Sequence, residues 1–266
     1  MTTTASQTSV IDEAVERILH SYHTESDILG ASKLQTYLNC PKSYEYQYVD
    51  KTEVPKSAAM VVGSCAHEVL REAHARGWGV DDGRAARDML YELWSRTKPS
   101  TRKDRRADAE DRVRVLAMDG IPWYLDWRRG QYDIATEERW RCEVPGEDLT
   151  LQGTWDRLYI QDGQTVLSDL KSGKMPRGLD TDLQLSLYSW ALRQSGQRED
   201  ALEIVAVSAR RVVRTSRTDR YLDVVMHSTV LPTARRIKAG EFPANVGNRF
   251  GCSYCDYHVV CPVGQA

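Results

Sequence analysis

Asp156, Asp169 and Lys171 are the residues of this chain whose types and spacing best suit chemistry. Asp156 ends the segment Gly153-Thr154-Trp155-Asp156, and thirteen residues after it Asp169 opens Asp169-Leu170-Lys171. If both segments are strands, period-two alternation puts Asp169 and Lys171 on one face. It turns Leu170 into apolar surroundings and lets Asp156 reach the pair from the neighbouring strand. Two carboxylates so placed hold a hard divalent cation through oxygen, and a lysine beside them orients or deprotonates an attacking water. The substrate such a trio suits is a phosphodiester. Standing alone, Asp169 and Lys171 would serve equally as a surface ion pair. Upstream, His67 lies in Gly63-Ser64-Cys65-Ala66-His67-Glu68; downstream, Gln184 and Tyr188 are four apart and share one helix face.

The six cysteines form a second constellation. Cys252, Cys255 and Cys261 give C-x₂-C-x₅-C near the C-terminus, and Cys40-Pro41 lies more than two hundred residues upstream. Four thiolates suit either Zn²⁺ or a four-iron cluster. Cys65 and Cys142 remain as small core residues. The first ten residues have no basic stretch followed by an apolar run, so they do not read as a secretory signal, and the clustered thiols fit a reducing cytoplasm. No apolar run approaches the roughly 18 residues of a membrane helix.

With 36 basic and 38 acidic side chains the net charge is −2, so bulk electrostatics does not announce a polyanion partner. The distribution is more informative. Arg210, Arg211, Arg214, Arg217 and Arg220 face only Asp219 in their stretch, and Arg102, Lys103, Arg105 and Arg106 form a second patch. Either run is a solvated face or a track for phosphates.

Positioning these residues takes an α/β frame. Ile11 to Ile28 is amphipathic, and Ser32 reads as the N-cap of a helix through Leu34 and Leu38 that stops at Cys40-Pro41. Val61 to Arg76, Arg84 to Trp94 and Ala107 to Arg128 complete a helical half. The period then changes to two over Ile134 to Val144, Leu149 to Ile160 and Thr165 to Lys171, separated by Pro145-Gly146 and Asp162-Gly163 turns. A helix from Thr181 to Gln194 follows, then strands at Leu202 to Arg211 and near Tyr221 to Met226.

The order helix with G-x-x-x-H, strand with Glu, strand with G-x-x-D, strand with D-x-K, helix with Q-x-x-x-Y resembles the PD-(D/E)XK nuclease superfamily, in its RecB-like exonuclease branch. Each motif is short, but five in order across Ser32 to Cys261 are jointly specific. The resemblance implies a restriction-endonuclease-like core, a mixed central sheet flanked by helices. Residues 1–30 would form an N-terminal segment and 31–266 the nuclease domain, with a helical insertion at about 80–130 and a cysteine region at 250–262.

By the same likeness His67, Asp156 and Asp169 are metal ligands, joined by the backbone carbonyl of Leu170. Lys171 is the catalytic lysine, and Gln184 and Tyr188 position DNA or the catalytic groups. Glu137 and Glu138 would point to opposite faces; Glu137 is preferred because it stands three residues before Trp140, as the acid of the family's first strand does. One distant cysteine plus a C-terminal triplet resembles the iron-sulfur staple of CRISPR-associated and helicase-associated exonucleases, assigning Cys40, Cys252, Cys255 and Cys261 to a 4Fe-4S cluster. The expected activity is Mg²⁺- or Mn²⁺-dependent exonucleolytic cleavage of DNA single strands or ends, with Arg210, Arg211, Arg214 and Arg217 on phosphates. No helicase motif is present, so unwinding would fall to a helicase, recombination or CRISPR-adaptation partner. The alternative is a non-catalytic DNA-binding or interaction module, stapled by zinc or a cluster.

Overall fold

The computed structural model describes residues 4–20, 28–54, 56–99, 103–173, 178–245, 252 and 255–263. At its centre β3 (Thr150–Gln161) is the hub of a six-stranded mixed sheet. One edge of β3 carries β2 (Tyr132–Glu143), antiparallel along its whole length. The other edge is shared: β1 (Ile28–Leu29) pairs in parallel with Thr150 and Leu151, and β4 (Gln164–Lys171) pairs antiparallel with Arg157 to Gln161. Between those two partners the edge is open, and Asp156 stands in the gap. Beyond β4 come β5 (Ala201–Ala206), parallel to it, and β6 (Arg211–Thr215), antiparallel to β5. The expected turns close the β2–β3 and β3–β4 hairpins, with Gly146 and Gly163 in the left-handed region at φ +77° and +78°.

Helices cover both faces. On one, α1 (Thr4–His20), α4 (Ala58–Ala75), α5 (Gly83–Thr97), α6 (Lys103–Val115) and α7 (Ile121–Trp127) pack Ile18, Val69, Leu90 and Ile121 with Leu170, Val205 and Val207. On the other, α2 (Ala31–Asn39), α8 (Leu183–Gln194), α9 (Asp219–Val225) and α10 (Leu231–Lys238) pack Leu34, Leu187, Leu222 and Leu231 on Leu158, Leu167, Leu202 and Ile204. Each leucine-sized side chain so buried contributes roughly 2 kcal/mol. A short α3 (Pro41–Tyr44) follows α2 directly. The α6–α7 and α9–α10 junctions are single π-helical turns, Leu116–Gly120 and Met226–Val230, each just ahead of a proline. Pro122 and Pro232 lack the N–H for a regular bond and crowd the preceding turn, so the helix widens there.

Several sequence expectations are corrected. The first helix begins at Thr4, ahead of Ile11, and is described to His20; residues 21–27 of the expected helix lie outside the described residues, and Ile28 belongs to β1. Ser32 lies inside α2, whose N-cap is Gly30; a Cβ at Gly30 would meet the Gln152 carbonyl oxygen at 2.6 Å. The strand expected over Leu202 to Arg211 ends at Ala206, and after a turn at Val207 to Arg210, Arg211 opens β6. Tyr221 to Met226 is helical. Thr218 Oγ1 accepts the Tyr221 N–H at 3.1 Å and starts α9, which outweighs the strand preference of Val224 and Val225. Arg102 and the side chains of Lys103, Arg105 and Arg106 lie outside the described residues. Among the described residues no helix is long and apolar enough to cross a membrane.

Candidate active site

Strand register carries Glu137, Asp156 and Asp169 into one row across three neighbouring strands. The pairs Thr136–Arg157 and Glu138–Trp155 leave Glu137 opposite Asp156, and Arg157–Ser168, the last β3–β4 pair, puts Asp156 and Asp169 in the next position. There β3 and β4 part, and Asp156 Oδ2 accepts the Leu170 N–H at 2.7 Å. Glu137 has φ +48°, a left-handed conformation that costs a non-glycine residue roughly 1 to 2 kcal/mol. At this bend the inward parity of both strands changes: Ala135 and Leu158 on one side of it, Trp140 and Trp155 on the other, all join the same core. The distortion turns Glu137 toward His67, while Glu138 is exposed.

His67 arrives on α4, whose start is capped by Ser57 Oγ, accepting from the Met60 N–H at 3.3 Å. Its Nδ1 lies 3.5 Å from Glu137 Oε1. Donor atoms of His67, Glu137 and Asp156 all lie within 4.8 Å of one another, and this is the one such group of three among the described residues. Asp169 is outside that group and leans on Lys171. The ammonium donates to Asp169 Oδ1 at 3.1 Å and to Gln184 Oε1 at 3.0 Å, and Gln184 Nε2 reaches the Tyr188 hydroxyl at 2.8 Å. Asp182 caps α8 through the Leu185 N–H at 2.9 Å, so Gln184 sits in the first turn, beside the end of β4.

The electrostatics are those of an acid cluster short of positive charge. Burial raises the Asp156 carboxyl, opposed by His67 and helped by Glu137. Burial, then the Asp156 charge, pushes Asp169 up to about 7, although Lys171 opposes both. Burial works against the His67 imidazolium, yet Asp156 and Glu137 prevail and hold it at about 9. Lys171 is raised too, because Asp169 outweighs its desolvation.

Trp140 braces the far side of the site. It is paired with Gly153, where a Cβ would come within 2.5 Å of its ring, so the glycine of G-x-x-D makes room for the indole. The same ring meets Tyr188 edge-on, with centroids 6.4 Å apart. Gly153, Trp140, Tyr188, Gln184 and Lys171 thus form a continuous chain of contacts. A glycine opposite an aromatic is a weak sequence signal, and Trp140 was legible only as a neighbour of Glu137.

Cys40, Cys252, Cys255 and Cys261 line one pocket, together with Ser43, Tyr46, Tyr257 and His258. No three of the four sulfurs lie within 4.8 Å of one another. Cys65 is elsewhere, wholly buried against Thr97 Oγ1 at 3.4 Å, and burial pushes its thiol up to about 11. Cys142 lies on β2.

The arginine run does not form one face. Arg217 is 5% exposed, and its guanidinium is engaged by Ser186 Oγ at 3.0 Å, Thr215 Oγ1 at 3.0 Å and the Leu179 carbonyl at 2.5 Å. It anchors the approach to α8, so it is buried in the fold rather than set on an open arginine face. Arg214 is the counterion of the wholly buried Glu203, at 3.1 Å. Arg210 and Arg211 are exposed at the β5–β6 turn.

A sequence model described as the PD-(D/E)XK nuclease superfamily matches residues 29–262. The chain belongs to this superfamily. The Gene 69 protein of Mycobacterium phage L5 is 24% identical over 287 residues, spanning 88% of this chain and 96% of that protein. The crystal structure of SSO0001 aligns with a TM-score of 0.48 at 14% identity, covering 99% of each chain. As a PD-(D/E)XK nuclease the chain is a metal-dependent nuclease, with DNA the substrate that membership suggests. The residues fit a divalent cation. Donor atoms of His67, Glu137 and Asp156 converge within 4.8 Å of one another, and Asp169, next in the row, is ion-paired with Lys171 at 2.8 Å. Three carboxylates in one row, with His67 at one end and Lys171 at the other, are oxygen donors suited to a hard cation.

Proposed function

We propose that this nuclease is an exonuclease acting on DNA single strands or ends, its fold stapled by a 4Fe-4S cluster. The observation that carries the reading is the row Glu137–Asp156–Asp169 with Lys171 beside it and His67 closing one end. His67, Glu137 and Asp156 hold the cation, with Asp169 and the Leu170 carbonyl completing its shell. A bound Mg²⁺ or Mn²⁺ supplies charge to the scissile phosphate and to the leaving oxyanion. Lys171, held by Asp169 and Gln184, keeps one N–H for the attacking water. Tyr188 and Trp140 keep Gln184 from swinging away.

Arg211 occupies the same row as Lys171, two strands over through Ala206, or about 10 Å away. It and Arg210 therefore meet the phosphates flanking the scissile bond. Replacing both by Ala is expected to weaken DNA binding uniformly across sequences and to lower the slope of log K against log salt by about 1 to 2. An unchanged slope in a filter-binding titration returns them to the solvated surface.

What supports the cluster over zinc is the sequence pattern, one distant cysteine plus a C-terminal triplet flanking a nuclease core, with all four cysteines lining one pocket. The deciding experiment is anaerobic purification with iron and sulfide analysis, then digestion of end-labelled single-stranded DNA with and without Mn²⁺. Iron, sulfide and Mn²⁺-dependent release of end label are expected. Cleavage confined to internal positions would replace the exonuclease by an endonuclease, and a colourless, zinc-containing protein would remove the cluster.

A further inference from the structure

Helix α4 meets β2 at two points seven residues apart on the helix. At the first, His67 Nδ1 and Glu137 Oε1 are 3.5 Å apart, a loose contact; at the second, His74 Nδ1 and Asp133 Oδ2 are 2.7 Å apart. The second point is tightly enclosed. The His74 side chain is 2% exposed and its Nε2 lies 2.7 Å from the Tyr124 hydroxyl on α7. Asp133 Oδ1 accepts from Arg157 Nε at 2.6 Å, and Arg157 is wholly buried across the Tyr159 ring at 4.1 Å and near the Trp127 ring at 5.8 Å. Among the described residues the hydrogen bonds and ion pairs of these side chains run to one another, to Gln131 and to Arg128 rather than to Glu137, Asp156 or Asp169.

Their places in the chain tie them to it. Arg157 follows Asp156 on β3 and leaves that strand toward α7. Asp133 precedes Glu137 by four residues, and His74 follows His67 by two helical turns. One hydrogen-bonded network therefore joins the three elements that carry His67, Glu137 and Asp156.

Those elements need an external hold. Between Asp133 and Glu137 the strand has two irregularities, a register shift between Asp133 and Ala135 and the left-handed Glu137. A bulge disrupts the ladder locally and bends the strand, and β2 is an edge strand held by β3 alone. We infer that His74, Asp133 and Arg157 are positioning residues, a clamp that sets α4 and the bulged part of β2 against β3 so that His67 and Glu137 meet Asp156.

The clamp keeps one charge state near neutrality. Burial lowers the His74 imidazolium, so the ring is neutral, with Nδ1–H donating to Asp133 and Nε2 accepting from the Tyr124 O–H. Burial would raise the Asp133 carboxyl, but His74 and Arg157 hold it down at about 2.

This inference rests on the cation site proposed above, so the test measures Mn²⁺ affinity of the full chain by calorimetry or electron paramagnetic resonance, beside near-ultraviolet circular dichroism and melting. His74→Phe is expected to weaken Mn²⁺ binding about tenfold to a hundredfold, the range for residues that orient metal ligands. His74→Asn, which keeps a donor toward Asp133, recovers part of the loss. Tyr124→Phe removes one hydroxyl with the fold intact and weakens binding a few-fold. Leu231→Ala, a cavity in the other core, lowers the melting temperature but leaves Mn²⁺ affinity unchanged. Folded His74→Phe and Tyr124→Phe proteins that bind Mn²⁺ as wild type does overturn the clamp while the cation site stands. Wild-type protein that binds no Mn²⁺, or Asp156→Ala that binds it as tightly as wild type, overturns the cation site and the clamp with it.

Discussion

Asp156→Ala, Asp169→Ala and Lys171→Ala are each expected to abolish cleavage, with losses on the order of a thousandfold or more in a single-turnover assay of end-labelled DNA. The two aspartate variants fail by losing the cation, which Mn²⁺ titration reads directly. Lys171→Ala fails with the cation still bound, because what it removes is the N–H that orients water. Folding survives in all three. Asp156→Ala leaves the Leu170 N–H without its acceptor at 2.7 Å, a cost of about 1 to 3 kcal/mol. That loss is offset in part by relief of repulsion along the acid row. Asp156→Asn separates the two effects, since the amide oxygen still accepts from Leu170 while the charge is gone; it folds as wild type and remains inactive. Cleavage at the wild-type rate by any purified member of the set would show that the assignment is wrong.

Replacing any one of Cys40, Cys252, Cys255 and Cys261 by Ala bleaches the brown colour expected of anaerobically purified protein and lowers its melting temperature. A cuboidal cluster that loses one thiolate is open to solvent and oxidant, and ligand binding energy is part of the folding energy. The mechanical reason is the placement of the four proposed ligands. Cys40 lies between α2 and α3, and the other three belong to the last described residues of the chain, so the group joins segments more than two hundred residues apart. Cys65→Ala and Cys142→Ala keep colour and activity. The Cys65 thiol is buried against Thr97 with its ionisation pushed up to about 11, the opposite of what a thiolate ligand needs. Iron and sulfide analysis of all six variants checks the whole set at once. Loss of iron from Cys65→Ala, or its retention in Cys255→Ala, contradicts the assignment.

The candidate site was legible in the amino-acid order because it rests on residue types at short spacing. D-x-K on one strand and Q-x-x-x-Y on one helix are local statements, governed by periods of two and 3.6. The hairpins of β2, β3 and β4 were legible for the same reason, through the Pro145-Gly146 and Asp162-Gly163 turns. Tyr221 to Met226 misled because local β-preference competes with a capping hydroxyl three residues earlier, and packing against α8 decided between them.

What only the tertiary structure decided lies across long separations. Glu137, and not Glu138, faces His67 because its backbone leaves the extended region, a distortion that no side-chain pattern announces. Arg217 and Arg214 look like solvated cations in a basic run. The fold gives one of them Ser186 and the Leu179 carbonyl, and the other the buried Glu203. His74, Asp133 and Arg157 carry no motif; 59 residues separate the first two, 24 the second two. Partners of that kind meet only when the sheet register is set. The sequence by itself determined which residues are candidates to hold a cation and activate water, and the packing of α4 and α7 on the sheet decided which of them meet.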